Sequence, residues 1–130
     1  MKTGLQVGDK AVIKAKVTPD MFAQFGGEIV HPAYSTVTMV YHMEWASRKL
    51  ILPYLTPEEE GMGASVQVKH LAPSGEGEPI EVTATVTEIR PKSIWTHVSV
   101  KNGQRQIGEG HVKQAILLKE YISRQLTAHQ

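Results

Sequence analysis

The sequence predicts an α+β fold in which antiparallel strands surround one long helix. The first observation is a single long run with helical periodicity of apolar residues, over residues 35–54. The second is a series of alternating segments after that run, at residues 64–71, 80–89, 94–101 and 105–118, separated by turn residues. One long helix followed by consecutive strands favours an antiparallel sheet over repeated βαβ units.

The composition is that of an ordinary folded protein. A chain of 130 residues can close one core, so we expect a single domain over residues 1–130. The formal net charge of +1 without a polybasic run argues against nucleic acid or a membrane surface as partner. The absence of cysteine excludes disulfides and thiolate chemistry and, with no signal-peptide pattern at the N-terminus, favours the cytoplasm.

The segment before the helix divides into a strand and a flexible connection. Residues 11–17 alternate apolar and polar side chains and predict a first strand, and residues 20–25 read as a short helical or irregular stretch. Gly26-Gly27 and His31-Pro32 predict a mobile loop, because paired glycines resist regular structure and the residue before proline avoids the helical region.

The helical run is apolar on nearly every side, so we expect a helix that other structure largely wraps. Ser35 or Thr36 can supply the N-cap oxygen, and Pro53 and Pro57 end the run. After it, Asn102-Gly103 predicts a two-residue hairpin turn, and residues 119–126 predict a short terminal helix. One strand before the helix and four after it predict a five-stranded antiparallel sheet wrapped around a central helix, the hotdog fold. A sheet of this kind leaves an edge strand open, so we expect a homodimer.

Glu44 is the most informative single residue, because it interrupts the most apolar part of the predicted helix. Burial of a carboxylate there disfavours its charge and prepares it for acid–base work. The alternative interpretation is a structural glutamate at a helix edge or a dimer interface.

Three further residues are candidates for the same site. His70 shares the apolar side of its strand with Val66 and Val68, where it can shuttle protons or serve as a core histidine with one hydrogen bond. Thr36 is a cap candidate, but the free N–H groups at the start of its helix can also stabilise a thioester oxygen. Gly63 can bring a backbone N–H close to a substrate or simply serve a turn.

Other kinds of site have no support in the sequence. The remaining histidines lack ligand spacing with carboxylates, so we expect no metal and no cofactor. Gly108-Glu109-Gly110 does not open a helix that could receive a phosphate, and there is no Gly-x-Ser-x-Gly elbow of a serine hydrolase.

Several blocks give the sequence a resemblance to the fluoroacetyl-CoA thioesterase family of the hotdog fold. They are Met43-Glu44-Trp45-Ala46, Pro53-Tyr54-Leu55, Gly61-Met62-Gly63, Val68-Lys69-His70 and, more weakly, Ile107-Gly108-Glu109-Gly110. The resemblance extends from about Thr36 to the C-terminal region. It implies that Thr36, Glu44 and His70 are catalytic and that Gly63 binds substrate.

The resemblance implies hydrolysis of an acyl-CoA to a carboxylic acid and free CoA, with CoA as part of the substrate. Glu44 activates water or forms a mixed anhydride, Thr36 binds or accepts the acyl group, and His70 moves the protons. It further implies a site at the interface of a dimer, which could itself pair into a tetramer.

The sequence departs from the family where acyl specificity is decided. Residues 26–34 do not match the family's phenylalanine-rich lid, and Gln114 stands where the family has an arginine. The resemblance therefore does not extend to a fluoroacyl substrate. A non-catalytic acyl-CoA or small-ligand binding module of the same fold is the alternative function. A hotdog hydratase is less favoured, because the expected aspartate–histidine pair is missing after the helix.

Overall fold

A computed structural model describes residues 1–129 of the chain, so Gln130, the last residue of the predicted domain, lies outside the described residues. The elements in order are β1 Lys10–Lys16, β2 Phe22–Phe25, β3 Glu28–Tyr34, α1 Thr36–Ile51, β4 Glu59–His70, β5 Pro79–Arg90, β6 Ser93–Asn102, β7 Arg105–Leu118 and α2 Lys119–Ala128. Short 3-10 turns lie at Pro19–Met21 and Leu52–Tyr54.

The main sheet is antiparallel, with strand order β1-β5-β6-β7-β4, and it wraps around α1. Its inner face contributes fully buried side chains such as Val82, Val98 and Val112, which form one core with Met39 and Met43 of the helix. Alternate residues of each strand point to that core, which is the pattern that predicted the strands. The prediction of a hotdog fold with five strands around a long helix is confirmed.

Helix α1 begins after Ser35, whose Oγ accepts a hydrogen bond from the backbone N–H of Thr38 at 3.0 Å. Ser35 rather than Thr36 is therefore the N-cap, which leaves the hydroxyl of Thr36 free for another partner. The helix ends at Ile51, and Pro53 lies in the 3-10 turn that follows. No helix among residues 1–129 has the length and apolar character needed to cross a membrane.

One face of α1 is not covered by its own chain. Val37, Tyr41 and Trp45 lie four residues apart and are 70%, 60% and 44% exposed. Residues at this spacing share one side of a helix, so they form a continuous apolar stripe, called here the α1 stripe. The prediction of a largely wrapped helix therefore fails on this face of the isolated chain.

The segment predicted as a mobile loop is a β-hairpin, whose register shifts between Phe22 and Ala23 and again between Ala23 and Gln24. Strands β2 and β3 pair from Phe25↔Glu28 to Phe22↔Tyr34, and Gly26 and Gly27 form the two-residue turn with φ of 59° and 86°. Positive φ at both positions is what a type I′ hairpin turn requires, so the glycines occupy the turn and the strands pair on either side of it. The loop prediction was wrong because paired glycines were taken only as breakers of regular structure.

Two boundaries also differ from the prediction. Strand β4 begins at Glu59 rather than at residue 64, because its pairing with β7 continues to Leu118 although Gly61 and Gly63 carry no strand signal. The β6–β7 turn consists of Gly103 and Gln104, between the paired residues Asn102 and Arg105, with positive φ only at Gly103. A positive φ at the first turn position alone is the type II′ pattern.

Candidate active site

Thr36 and His70 contact each other at one end of the central helix. Thr36 is the first residue of α1 and His70 the last of β4, and Thr36 Oγ1 lies 2.8 Å from His70 Nδ1. The hydroxyl is exposed while the imidazole is half-buried. The structure therefore brings together a hydroxyl and a base that are 34 residues apart in the sequence.

The surroundings of His70 favour its neutral form. Burial lowers the pKa of His70, because the imidazolium loses solvation, while a hydrogen bond with the backbone of Ala72 opposes the shift. Its Nε2 is fully buried and has no hydrogen-bond partner among residues 1–129. A neutral imidazole can accept the proton of Thr36 at Nδ1, which is the role that a general base requires.

A second buried pair stands behind His70. The hydroxyl of Tyr34 and Nδ1 of His42 are 2.6 Å apart, and the two residues are only 2% and 3% exposed. The ring of Tyr34 also meets the ring of His70 edge-on, with centroids 6.3 Å apart. Burial raises the pKa of Tyr34 and lowers that of His42, so both are neutral at ordinary pH. The hydrogen bond of this pair fixes Tyr34 in place, and the ring of Tyr34 packs against His70.

Glu44 lies in a separate cavity of about 200 Å³, which we call the Glu44 cavity. Its lining residues are Tyr41, Glu44, Trp45, Arg48, Gly61, Gly63 and Gln114. A Cβ atom added to Gly63 would lie 3.2 Å from Glu44 Oε1 and 3.4 Å from Oε2, so the glycine makes room for the carboxylate. The β4–β7 ladder is irregular between Gly63 and Ser65, as is common next to functional sites.

The environment of Glu44 differs from the prediction. Its side chain is exposed in the isolated chain, and it makes no hydrogen bond or ion pair within the part of the chain that the structure describes. The expected burial is therefore wrong for one chain, because Glu44 adjoins the α1 stripe rather than the core face of the helix. Desolvation of this carboxylate requires a covering partner.

Thr36 and Glu44 are two turns apart on the same helix, which places their Cα atoms about 12 Å from each other. Neither Thr36 nor His70 lines the Glu44 cavity. One chain thus holds two parts of the predicted site, the Thr36–His70 pair and the Glu44 cavity with Gly63, without bringing them into contact.

Two polar lining residues were not predicted to act in the site: Arg48, and Gln114, which the sequence marked only as a departure from the family's arginine. Arg48 donates from Nη1 to the carbonyl oxygen of Gly61 at 3.1 Å and from Nη2 to Glu60 Oε1 at 2.8 Å. Gln114 is 4% exposed and lies at an inward position of β7, between Val112 and Ile116. A polar residue at an apolar position of an alternating strand is the sequence signal that points to Gln114. No comparable signal marks Arg48, which lies among other polar residues near the end of the helix.

Among residues 1–129, no group of three or more His, Asp or Glu side chains is arranged to hold a metal ion. His97 and His111 meet edge-on on neighbouring strands, and His97 Nε2 lies 3.8 Å from Glu109 Oε2. These side chains lie on the outer face of the sheet, away from both parts of the site.

Comparison of the fold with solved structures defines the class of protein. A hot-dog-like protein from Thermanaerovibrio acidaminovorans superposes with a TM-score of 0.88 at 15% identity, over 95% of this chain and 91% of that chain, which shows the fold alone. A thioesterase superfamily member from Thermus thermophilus superposes with a TM-score of 0.90 at 36% identity, over 97% and 96% of the two chains. The protein is thus a hotdog-fold thioester hydrolase.

The particular family follows from the sequence comparison. The model of the family described as fluoroacetyl-CoA-specific thioesterase matches residues 17–120. A fluoroacetyl-CoA thioesterase from Streptantibioticus cattleyicolor is 29% identical over 128 residues, which cover 90% of this chain and 88% of that protein. The chain belongs to the fluoroacetyl-CoA-specific thioesterase family, and the predicted resemblance is confirmed.

Proposed function

We propose that the protein hydrolyses short acyl-CoA thioesters to a carboxylic acid and free CoA, with Thr36, Glu44 and His70 as catalytic residues and Gly63 at the substrate. The contact of 2.8 Å between Thr36 Oγ1 and His70 Nδ1 carries the proposal. Membership of a thioesterase family supports the same reaction. The acid product takes its second oxygen from water, and the thiolate of CoA takes up a proton.

Each residue has a defined task in this scheme. Glu44 removes a proton from the attacking water, and neutral His70 takes up that proton in turn. His70 then delivers it to the departing sulfur as the thioester C–S bond breaks. Thr36 and the first N–H groups of α1 face the thioester oxygen as negative charge develops on it. Glu44 can instead attack the thioester itself and form a mixed anhydride. Label in the Glu44 carboxylate after a single turnover in ¹⁸O-labelled water would show the anhydride route with attack of water on the Glu44 carbonyl, because direct attack of water on the thioester places the label only in the product acid.

The reaction requires a second copy of the chain. The separation of about 12 Å along α1 keeps Glu44 and Thr36 of one chain apart, and neither Thr36 nor His70 lines the Glu44 cavity, which favours a site completed by the second copy. Strand β4 is an edge of the sheet, and beside it the α1 stripe exposes large apolar side chains. Long uncovered edges and apolar helix faces of this kind are commonly covered by a partner.

A two-fold axis between Val66 and Gln67 of β4 accounts for both features. Antiparallel pairing of two β4 edges sets the first half of one strand beside the second half of the other. Gly63, with Glu44 above it, then lies beside the end of β4 that carries His70 in the second copy. We propose a homodimer with two composite sites, each formed by the Glu44 cavity of one chain and the Thr36–His70 pair of the other.

The acyl group, the pairing of dimers into tetramers and the cytoplasmic location stay predictions. The relative from Streptantibioticus cattleyicolor is named for fluoroacetyl-CoA. In this chain residues 26–34, where the sequence departs from the family, belong to the β2–β3 hairpin. We therefore propose a non-fluorinated acyl group.

The test is a panel of acyl-CoAs of increasing chain length, with free CoA detected by a thiol-reactive dye. We expect release from at least one short acyl-CoA by the wild-type protein, and strongly reduced release by Glu44→Gln. Binding of several acyl-CoAs without release of CoA from any of them would instead support the non-catalytic binding module.

A further inference from the structure

Gln114 carries a buried amide with unused hydrogen-bonding capacity. The residue is 4% exposed, and its Nε2 is fully buried without a hydrogen-bond partner among residues 1–129. Buried polar groups in folded proteins are nearly always paired, so each exception asks for an explanation. An apolar side chain at this inward position of β7 would pack against the core without that penalty.

The amide lies beside the place where the acyl group would bind. Gln114 lines the Glu44 cavity and is the direct strand partner of Gly63 across the β4–β7 pair. Its Oε1 lies 3.3 Å from the position that a Cβ on Gly61 would occupy, so the amide head is on the cavity side of the strand. A half-turn about its last side-chain bond exchanges the oxygen and the nitrogen, which directs Nε2 into the cavity.

We propose that Gln114 donates a hydrogen bond to a neutral oxygen on the acyl chain, which makes short hydroxyacyl-CoAs and ketoacyl-CoAs the preferred substrates. The inference rests on the proposed function and assigns its substrate class. The ligand oxygen supplies the partner that Nε2 lacks. A substrate without this oxygen leaves the amide unpaired and is therefore discriminated against.

The charges of the cavity favour a neutral oxygen over a second carboxylate. Glu44 has no cationic partner within the described residues. The guanidinium of Arg48 is already bonded to Glu60 and to the carbonyl of Gly61. A carboxylate at the end of the acyl chain would face Glu44 without a free cation to balance it. The volume of about 200 Å³ suits a short chain.

The experiment compares substrates that differ in one oxygen. Values of kcat/KM are measured by CoA release for butyryl-CoA, 3-hydroxybutyryl-CoA and acetoacetyl-CoA, with the wild-type protein and with Gln114→Leu. We expect the wild type to prefer an oxygenated substrate by about ten- to a hundredfold. In Gln114→Leu the preference should fall to about one. Gln106→Leu, the same change at an exposed position of β7, should keep the wild-type preference.

Equal kcat/KM values for all three substrates in the wild type would overturn the proposal, as would a preference that survives in Gln114→Leu. The melting temperature of Gln114→Leu adds a second readout. It should equal or exceed that of the wild type, because the change removes an unpaired buried amide. A melting temperature several degrees lower would show that the amide is bonded in solution, against the proposal.

Failure of the proposed function gives a different result. If no acyl-CoA releases CoA, calorimetric titration of the same substrates measures their dissociation constants instead. Tighter binding of the oxygenated acyl-CoAs that disappears in Gln114→Leu would support the role of Gln114 without hydrolysis. Equal dissociation constants in the wild type would overturn it.

Discussion

Two inactive variants should restore activity when their subunits are mixed. In a composite site, Glu44 comes from one chain and His70 from the other. A dimer of Glu44→Gln chains has a defect in both sites, and so has a dimer of His70→Ala chains. A mixed dimer concentrates both defects in one site and leaves the other site fully intact.

The expected recovery follows from the symmetry. Random reassociation of equal amounts makes about half of the dimers mixed, and each mixed dimer has one intact site of two, so the mixture should reach about a quarter of wild-type activity per chain. Each parent variant should lose about a hundred- to ten-thousandfold in kcat, as is typical for the loss of a general acid or base. Restored activity would therefore stand far above either parent.

The assay needs subunit exchange and a control for it. The two variants are unfolded together in denaturant, refolded, and assayed by CoA release, while differently tagged chains confirm that mixed dimers form. A mixture of Glu44→Gln with an independently made Glu44→Gln preparation serves as the negative control. Mixed dimers with no more activity than the parents would refute the composite site. Each site would then take Thr36, Glu44 and His70 from the same chain.

Further predictions concern the separate parts of the site. Glu44→Gln should leave the melting temperature unchanged while CoA release falls as above, and Glu58→Gln, an exposed control, should retain full activity. Tyr34→Phe should lower the free energy of unfolding by about 1–3 kcal/mol in urea titrations, because it leaves Nδ1 of the buried His42 unpaired. The rate of CoA release should fall with decreasing pH only below about 6.5, since burial lowers the pKa of His70 and only the neutral ring acts as a base. A fall in this rate that is centred above about pH 6.5 would contradict the role of His70. The free energy of unfolding should also fall below about pH 6.5, because burial lowers the pKa of His42 and the unfolded chain then binds the proton more tightly.

The pattern of the chain was sufficient to predict most of the main sheet. Strands β5 to β7 alternate between core and surface over most of their length, and this period of two is typical of a strand with one buried face. Strand β4 was predicted only in part. Its first residues, including Gly61 and Gly63, have no strand pattern of their own and are held in the sheet by pairing with β7.

In the candidate site, too, the sequence predicted some residues, while their contacts follow only from the fold. Thr36 and His70 were predicted, but their contact depends on the sheet returning β4 to the start of α1, which no local pattern reveals. The paired histidine and tyrosine behind His70 were not predicted, because each looks like an ordinary core residue until the fold places Tyr34 against His42.

The sequence by itself determined the class of fold and the central helix, because periodicity and residue type are local properties, while the catalytic roles of Thr36, Glu44 and His70 stay predictions. Only the tertiary structure decided that Glu44 is exposed in one chain, that it is far from Thr36 along the helix, and that Gln114 points its amide toward the same cavity. These facts depend on how β4 and α1 meet in space. Contacts between segments distant in sequence arise from packing, and packing leaves no periodic trace in either segment.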